Sequence, residues 1–279
     1  MSVKMKLDNE LRKKYDDLKN ILEEMGEVVI AFSGGVDSTF LVKVASEVLS
    51  NDNVIAVTSR SETYPQKQLE EAKELAEEIG VEHIITYTSE LENEKFVQND
   101  KLRCYYCKYE LFSEIIRIAQ EKRYKFVADG SNYDDYLYDY RPGAKAADEL
   151  EVRSPLKDAK FTKEDIRIIS RKLNLPTWNK AAFACLSSRL PYGDSITVES
   201  LNMVDKAEQF LQKYKFEQLR VRHHDENTAR IEVLPGDMEL LLKYRNEIVS
   251  YFKEIGYIYI TMDIEGYRTG SMNEVLEDE

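Results

Sequence analysis

The feature that most restricts how this chain folds is a glycine pair between an apolar run and a helical one. Val28-Val-Ile-Ala-Phe32 reads as a short buried strand, Ser33-Gly-Gly-Val-Asp-Ser38 follows, and Phe40, Leu41 and Val42 fall in an amphipathic helix. Adjacent glycines let backbone N–H groups approach an anion without Cβ obstruction, and the helix beyond aims its positive end at the same place. A strand-to-helix turn of this kind is a phosphate cradle, with Ser33, Gly34, Gly35, Asp37 and Ser38 as its candidate ligands. The run lacks the Gly-Lys-Ser/Thr ending of a Walker loop, so the loop itself provides no lysine to grip β- and γ-phosphates. A tight turn that binds nothing is the plainer reading of Ser-Gly-Gly, and the whole string at such a junction argues against it.

Apolar positions before and after the cradle alternate between strand and helix periods. Leu7, Leu11, Leu18 and Leu22 give an opening helix; Val54 to Val57 give a second strand; Tyr64 to Ile79 give a charged helix with Leu69, Ala72, Leu75, Ala76 and Ile79 on one face. Residues 83–87 and 125–128 supply further strands around a helix carrying Leu111, Ile115 and Ile118. This is an α/β pattern, a doubly wound parallel sheet, and such sheets bind ligands at the carboxyl ends of their strands. The cradle lies at one such end, and Gly130-Ser-Asn-Tyr-Asp-Asp135 at another. Asn132 and Asp135 suit nucleotide or metal contacts there, and suit simple turn roles equally well.

Near residue 192 the pattern changes. Pro191-Tyr-Gly-Asp-Ser195 is a turn-rich break; a helix with Leu201, Val204, Ala207 and Leu211 follows, then strands at 218–222 and 229–234. One helix holding Met238, Leu241, Leu242, Ile248 and Phe252 and a last strand at 257–262 complete the order. An α-β-β-α-β order implies a smaller C-terminal α+β domain, with boundaries at 1–191 and 192–279. The end of the chain, from Glu274 to Glu279, reads as a solvated tail.

Net charge over the 279 residues is −13, the wrong sign for a protein that holds nucleic acid mainly by neutralising phosphates. No apolar run approaches the roughly 18 residues needed to cross a bilayer, and residues 1–10 lack a signal-peptide core. The expectation is a soluble, cytoplasmic protein without a nucleic-acid or membrane partner.

The three cysteines are Cys104 and Cys107, in Arg103-Cys-Tyr-Tyr-Cys-Lys108, and Cys185, in Phe183-Ala-Cys-Leu-Ser-Ser-Arg189. An odd, small count argues against a disulfide framework. Four readings stay open on the residues alone: three thiolates on a cluster with one open iron, a Cys3His zinc site completed by His83, His223 or His224, a redox dithiol, or unrelated buried thiols. Tyr105 and Tyr106 would shield a cluster or simply pack. His223 and His224 read as ordinary surface histidines.

Several strings together give the chain a family likeness. They are Ser33-Gly-Gly-Val-Asp-Ser38, Arg103-Cys-Tyr-Tyr-Cys-Lys108, Gly130-Ser-Asn-Tyr-Asp-Asp135, Arg141-Pro-Gly143 and Arg153-Ser-Pro-Leu156. Ala184-Cys-Leu-Ser-Ser-Arg-Leu-Pro-Tyr-Gly193, Arg220-Val-Arg222 and Ala229-Arg-Ile-Glu-Val233 complete the set. The cradle resembles the pyrophosphate loop of the PP-loop ATP pyrophosphatases, of adenine nucleotide alpha hydrolase-like fold. Over roughly residues 10–265 the whole resembles the LarE family of ATP-dependent sulfur transferases, which build a nickel-pincer nucleotide cofactor. The resemblance implies a pyridinium-3,5-biscarboxylic acid mononucleotide as substrate, adenylated by ATP at a carboxylate and converted to a thiocarboxylate. It implies ATP held by Ser33, Gly34, Gly35, Asp37, Ser38 and Asn132, with Asp37 reaching Mg2+. Arg189, Arg220, Arg222 and Glu232 match its substrate-binding positions.

Two sulfur sources follow from the resemblance. Either Cys104, Cys107 and Cys185 hold a [4Fe–4S] cluster carrying an extra sulfide, or Cys185 gives up its own sulfur and becomes dehydroalanine. Cysteines at all three family positions and nowhere else favour the cluster. The resemblance also implies a homo-oligomer, and the sulfide donor is unreadable here. Other classes stand beside this one: a tRNA thiolase, which would be expected to show a basic groove; a non-catalytic cluster- or zinc-binding regulator; and an amidating synthetase, which would give the cysteines no task.

Overall fold

The computed structural model describes residues 8–61, 63–137, 142–180, 185–225 and 227–276. The chain divides into two compact units, Met1–Ser61 with Gln66–Thr88 and Cys104–Phe183, and Glu62–Pro65 with Ser89–Arg103 and Ala184–Glu279. This differs from a single boundary at 191/192 because the 89–103 stretch is hydrogen-bonded into the later segment. Asn99 Nδ2 donates to the carbonyls of Pro191 (2.6 Å) and Asp194 (3.0 Å), and the N–H of Gly193 donates to the Asn99 carbonyl.

The first unit opens with helix α1 (Asn9–Met25), strand β1 (Val28–Ala31), helix α2 (Val36–Leu49), strand β2 (Val54–Arg60), helix α3 (Gln66–Ile79) and strand β3 (Glu82–Tyr87). A single turn, α4 (Glu94–Val97), lies in the second unit. The chain continues through α5 (Arg103–Lys122), β4 (Val127–Ala128), α6 (Tyr133–Leu137), α7 (Pro142–Glu149), α8 (Pro155–Asp158) and α9 (Lys163–Lys172). The strands form one parallel sheet in the order β3-β2-β1-β4, with Val28–Ala31 in register with Val54–Val57. Both faces of β1 are covered, as its unbroken apolar run requires. Val28 and Ile30 pack with Leu18 and Leu22 of α1, Phe40 and Leu41 of α2 and Ile166 of α9. Val29 packs with Ile55, Val57 and Val127 against Phe112 and Ile115 of α5.

The chain leaves β1 toward β2 on one side and later places β4 on the other, so the carboxyl ends of β1 and β4 flank the point where strand order reverses. Open α/β sheets bind ligands at that crevice. The loops issuing there are Ser33–Gly35 and Gly130–Asn132. They approach backbone to backbone: a Cβ on Gly130 would lie 3.0 Å from the Ser38 nitrogen and 3.1 Å from its Cα.

The second unit contributes α10 (Val198–Gln212), β5 (Leu219–His224), β6 (Thr228–Val233), α11 (Met238–Lys243), α12 (Arg245–Glu254) and β7 (Tyr259–Met262). The sheet β5-β6-β7 is mixed: β5 and β6 run antiparallel, β6 and β7 parallel. The single helix expected over Met238–Phe252 is two, broken at Tyr244, whose ring stacks on Tyr214 at 4.4 Å. At the end of the chain Ser271–Leu276 forms a 3-10 turn in which Ser271 is buried while Glu274 and Val275 of the expected tail are exposed; residues 277–279 lie outside the described residues. Among the described residues no helix is long and apolar enough to cross a membrane.

Two measurements check this packing. Gly130→Ala forces backbone atoms apart and should lower stability by about 1–3 kcal/mol in chemical denaturation, the usual cost of overpacking. His83, on β3, bonds the Thr58 hydroxyl at 2.8 Å, and burial, with Lys73 nearby, pushes its imidazole below the ordinary value of 6.5. The unfolded chain therefore binds a proton that the fold resists, and the His83 contribution is lost as pH falls below about 6.5. His83→Gln should flatten that part of the stability profile between about pH 7.5 and about pH 5.

Candidate functional site

The cradle is built by backbone conformation first. Gly34 has φ +62°, and a Cβ there would press on Ala72 of α3 at 3.2 Å. Gly35 caps α2 in an extended conformation without a side-chain cap, leaving the first turn's N–H groups to other partners. Ser33 and Ser38 close the loop through their hydroxyls at 3.1 Å, and Ser38 Oγ accepts from the Ser33 N–H at 3.2 Å.

Asp37 stands in the first turn of α2. One carboxylate oxygen, Oδ2, pairs with Lys163 of α9; the other, Oδ1, is buried with no hydrogen-bond partner. A desolvated carboxylate oxygen beside an anion cradle is the donor a Mg2+–phosphate pair would use, so the site fits that ion. A second lysine, Lys180, donates to the Gly34 carbonyl at 3.0 Å, to Gln68 at 3.1 Å and to Glu71 at 2.7 Å. A cation on this carbonyl polarises the peptide whose N–H belongs to Gly35. Sequence reading missed both lysines because 126 and 146 residues separate them from their partners.

After β4, Asn132 is buried, and its Oδ1 accepts from the N–H groups of Asp134 and Asp135, while Asp135 Oδ2 accepts from the Asn132 N–H. These reciprocal bonds start α6. Asp129 fixes the loop from beneath, accepting from Ser131 Oγ at 2.5 Å and Ser154 Oγ at 2.7 Å. That accounts for the serine of Arg153-Ser-Pro-Leu156, while Asp134 Oδ2 accepts from the backbone N–H of Lys163.

Cys104 and Cys107 lie in the first unit, on the opening turns of α5, and Cys185 lies in the second; all three are half-buried and outside any disulfide. Gly143 of α7 backs the first pair, since a Cβ there would reach the Cys104 carbonyl at 3.3 Å and Lys108 Cγ at 2.9 Å. Arg141 and Ala184 lie outside the described residues. Three reduced thiols, two of them one helical turn apart, are a donor set that suits an iron–sulfur cluster. Among the described residues no three His, Cys, Asp or Glu side chains gather as a metal-holding group. Of the histidines in the zinc reading, His83 bonds Thr58, His223 bonds the Tyr257 hydroxyl at 3.3 Å, and His224 is half-buried. His223 is 5% exposed, so it is no surface residue; β5 turns it inward with Val221.

Beside Cys185 the second unit concentrates arginine. Arg189 is 0% exposed and grips Glu208 of α10 with two bonds of 2.9 and 3.0 Å; it also donates to Ser188 Oγ and to the Cys185 carbonyl. Burial works to lower its pKa, but the Glu208 carboxylate and then Cys185 outweigh that and hold the guanidinium above its ordinary value. Arg222 donates to the Ser188 carbonyl at 3.1 Å and to Glu232 at 2.7 Å; Arg230 reaches the other Glu232 oxygen at 3.0 Å. Arg220 packs over the Tyr267 ring, its pKa lowered by burial and by the charge of Arg189. Thus Cys185, Arg189, Arg220, Arg222 and Glu232 come together in one unit, where the arginine charge suits an anionic group. The bound carboxylates of Glu208 and Glu232 show that Arg189 and Arg222 also carry structural duty.

Compared with known proteins, residues 10–103 match the family described as NAD synthase. An uncharacterized protein of Synechocystis sp. is 42% identical over 268 residues, covering 95% of this chain and 99% of its own. The pyridinium-3,5-bisthiocarboxylic acid mononucleotide synthase of Lactiplantibacillus plantarum is 36% identical over 255 residues, covering 91% of this chain and 92% of that enzyme. The chain belongs to the LarE family. An uncharacterized protein of Methanocaldococcus jannaschii shares 32% identity over 267 residues, so the likeness of this LarE chain to its relatives runs along both units.

Within this LarE chain the residues that sequence reading passed over are mostly partners of those it named. Glu208 and Ser271 were not singled out, although Ser271 donates to Glu232 at 3.2 Å, and Ser188 and Arg230 stood only inside longer strings without a role of their own. Arg103 Nη1 donates to Asn99 Oδ1 at 2.6 Å and to the Ser187 carbonyl at 2.9 Å, joining two stretches of the second unit. Glu208→Gln leaves the Arg189 charge buried without its counterion and should cost about 3–5 kcal/mol in urea denaturation.

Proposed function

We propose that this LarE-family chain is an ATP-dependent sulfur transferase. It adenylates a carboxylate of pyridinium-3,5-biscarboxylic acid mononucleotide and converts it to a thiocarboxylate in nickel-pincer nucleotide cofactor biosynthesis. The observation that carries the reading is the cradle at Ser33–Ser38, with its left-handed Gly34 and the buried, unpartnered Asp37 Oδ1. The length of the likeness to the bisthiocarboxylic acid mononucleotide synthase supports the substrate class.

The chemistry runs in two displacements. A carboxylate oxygen attacks the α-phosphorus of ATP and pyrophosphate leaves with the electron pair of the broken P–O bond. A sulfur nucleophile then adds to the acyl carbon and AMP departs with the carboxylate oxygen it had joined. Ser33, Gly34, Gly35, Ser38 and the first turn of α2 hold the polyphosphate, with Asn132 shaping the neighbouring loop and Asp37 holding Mg2+. Arg220, supported by Arg189, Arg222 and Glu232, holds the phosphate of the pyridinium nucleotide. Cys104, Cys107 and Cys185 would hold a [4Fe–4S] cluster, which when bound supplies an exchangeable sulfur at the iron that lacks a protein thiolate.

Anaerobic reconstitution, with iron and thiocarboxylate counted per chain, tests the reading. About four irons and more than one product per chain are expected, and Cys104→Ala should abolish turnover. No iron, at most one product, and a mass loss at Cys185 matching dehydroalanine would replace the cluster with sacrificial transfer. Pyrophosphate release that ignores the pyridinium nucleotide would overturn the proposed substrate.

A further inference from the structure

An acidic side chain inside an anion cradle is a physical contradiction unless a cation neutralises it. Asp37 sits in the first turn of α2, where phosphates would be drawn, and its charge repels them. Lys163 resolves the contradiction from the opening of α9. Its ammonium pairs with Asp37 Oδ2, its backbone N–H is held by Asp134 Oδ2 at 2.8 Å, and Thr162 caps the helix it begins. The pair is only partly exposed, at 32% and 21% for the two side chains, so its charges are less screened than on an open surface. Asp37 Oδ1 meanwhile stays buried without a partner.

We infer that Lys163 is an exchangeable counterion. Without nucleotide it neutralises Asp37. When Mg2+ enters with ATP, Asp37 turns to the metal, and the released ammonium takes the β- or γ-phosphate, the place of the lysine that the glycine loop lacks. Total charge stays matched throughout: one cation replaces another on the carboxylate, and the one displaced goes to the incoming anion. The same carboxylate then makes Lys163 oppose metal binding and assist phosphate binding. A merely structural salt bridge would do neither. The inference rests on the reading of the cradle as an ATP site, and not on any part of the sulfur chemistry.

Calorimetric titration of the full chain tests it with ATP at varied Mg2+, with inorganic pyrophosphate and with AMP, comparing wild type, Lys163→Gln and Asp37→Asn. Lys163→Gln should weaken ATP and pyrophosphate about tenfold or more, the worth of a charge-assisted bond, and leave AMP unchanged because AMP lacks the outer phosphates. The same variant should lower the Mg2+ needed for half-saturation about two- to fivefold, the worth of a partly exposed pair, because the metal no longer competes with an ammonium. Asp37→Asn should lose the Mg2+ effect and hold Mg2+-free ATP at least as tightly as wild type. Equal weakening of ATP and AMP, unchanged ATP binding, or a raised Mg2+ requirement in Lys163→Gln would overturn the inference. A wild-type chain that binds no ATP would instead sink the nucleotide-site reading. Thermal melting confirms that each variant is folded, and Lys163→Met repeats the test if the glutamine variant is not.

Discussion

Backbone packed on backbone around one loop is the constraint on which the first unit depends. The left-handed Gly34 lies against Ala72 of α3, and Gly130 lies against the Ser38 backbone of α2. Neither contact leaves room for a side chain, so strand, loop and two helices are held at fixed approach without long side chains to absorb error. The parallel sheet supplies the rigid floor, since β1 is buried on both faces. What remains adjustable is charge. The loop's own carboxylate is answered by Lys163, and its Gly34 carbonyl by Lys180 with Glu71 behind it.

The second unit solves a different problem, that of placing several arginines in a small sheet without losing them to disorder. Glu208 and Glu232, two buried carboxylates, divide the task, the first gripping Arg189 and the second bridging Arg222 and Arg230. Desolvated ion pairs gain little net stability, but each holds a guanidinium in one orientation. Ser188 joins the two groups by accepting from Arg222 at its carbonyl and from Arg189 at its hydroxyl. The electrostatic field beside Cys185 is therefore the property of a network, and Arg220 feels it as repulsion from Arg189.

The alternation of strands and helices, the glycine loop and the arginine strand were legible because they rest on local periodicity and on residues that few other backbones need. Val28–Phe32 is too apolar for a one-sided strand, and adjacent glycines at 34 and 35 mark a turn that needs left-handed backbone or close approach. What was not legible was partnership. Lys163 looks like any charged residue in the first turn of a helix, and Glu208 looks like one of many acids in a chain with net charge −13. The break at Tyr244 was hidden because apolar spacing continues through it, and the stacking on Tyr214 that accompanies it is tertiary. His223 was misread because a strand buried on both sides hides a polar residue that exposure-based intuition puts outside.

The second unit is assembled from three separated stretches, so it has no single pair of ends in the gene. Exchange of a C-terminal segment between relatives by one crossover near residue 192 would carry Asp194, Glu208 and β5, β6 and β7 but leave behind Asn99, which secures the Asp194 carbonyl, and Arg189, which grips Glu208. Such a chimera would join the Arg189 guanidinium of one ancestor to the Glu208 carboxylate of another. The stretches of the second unit are thus bound to evolve as one inheritance, and variation between relatives should accumulate as matched substitutions across them rather than as the grafting of whole modules.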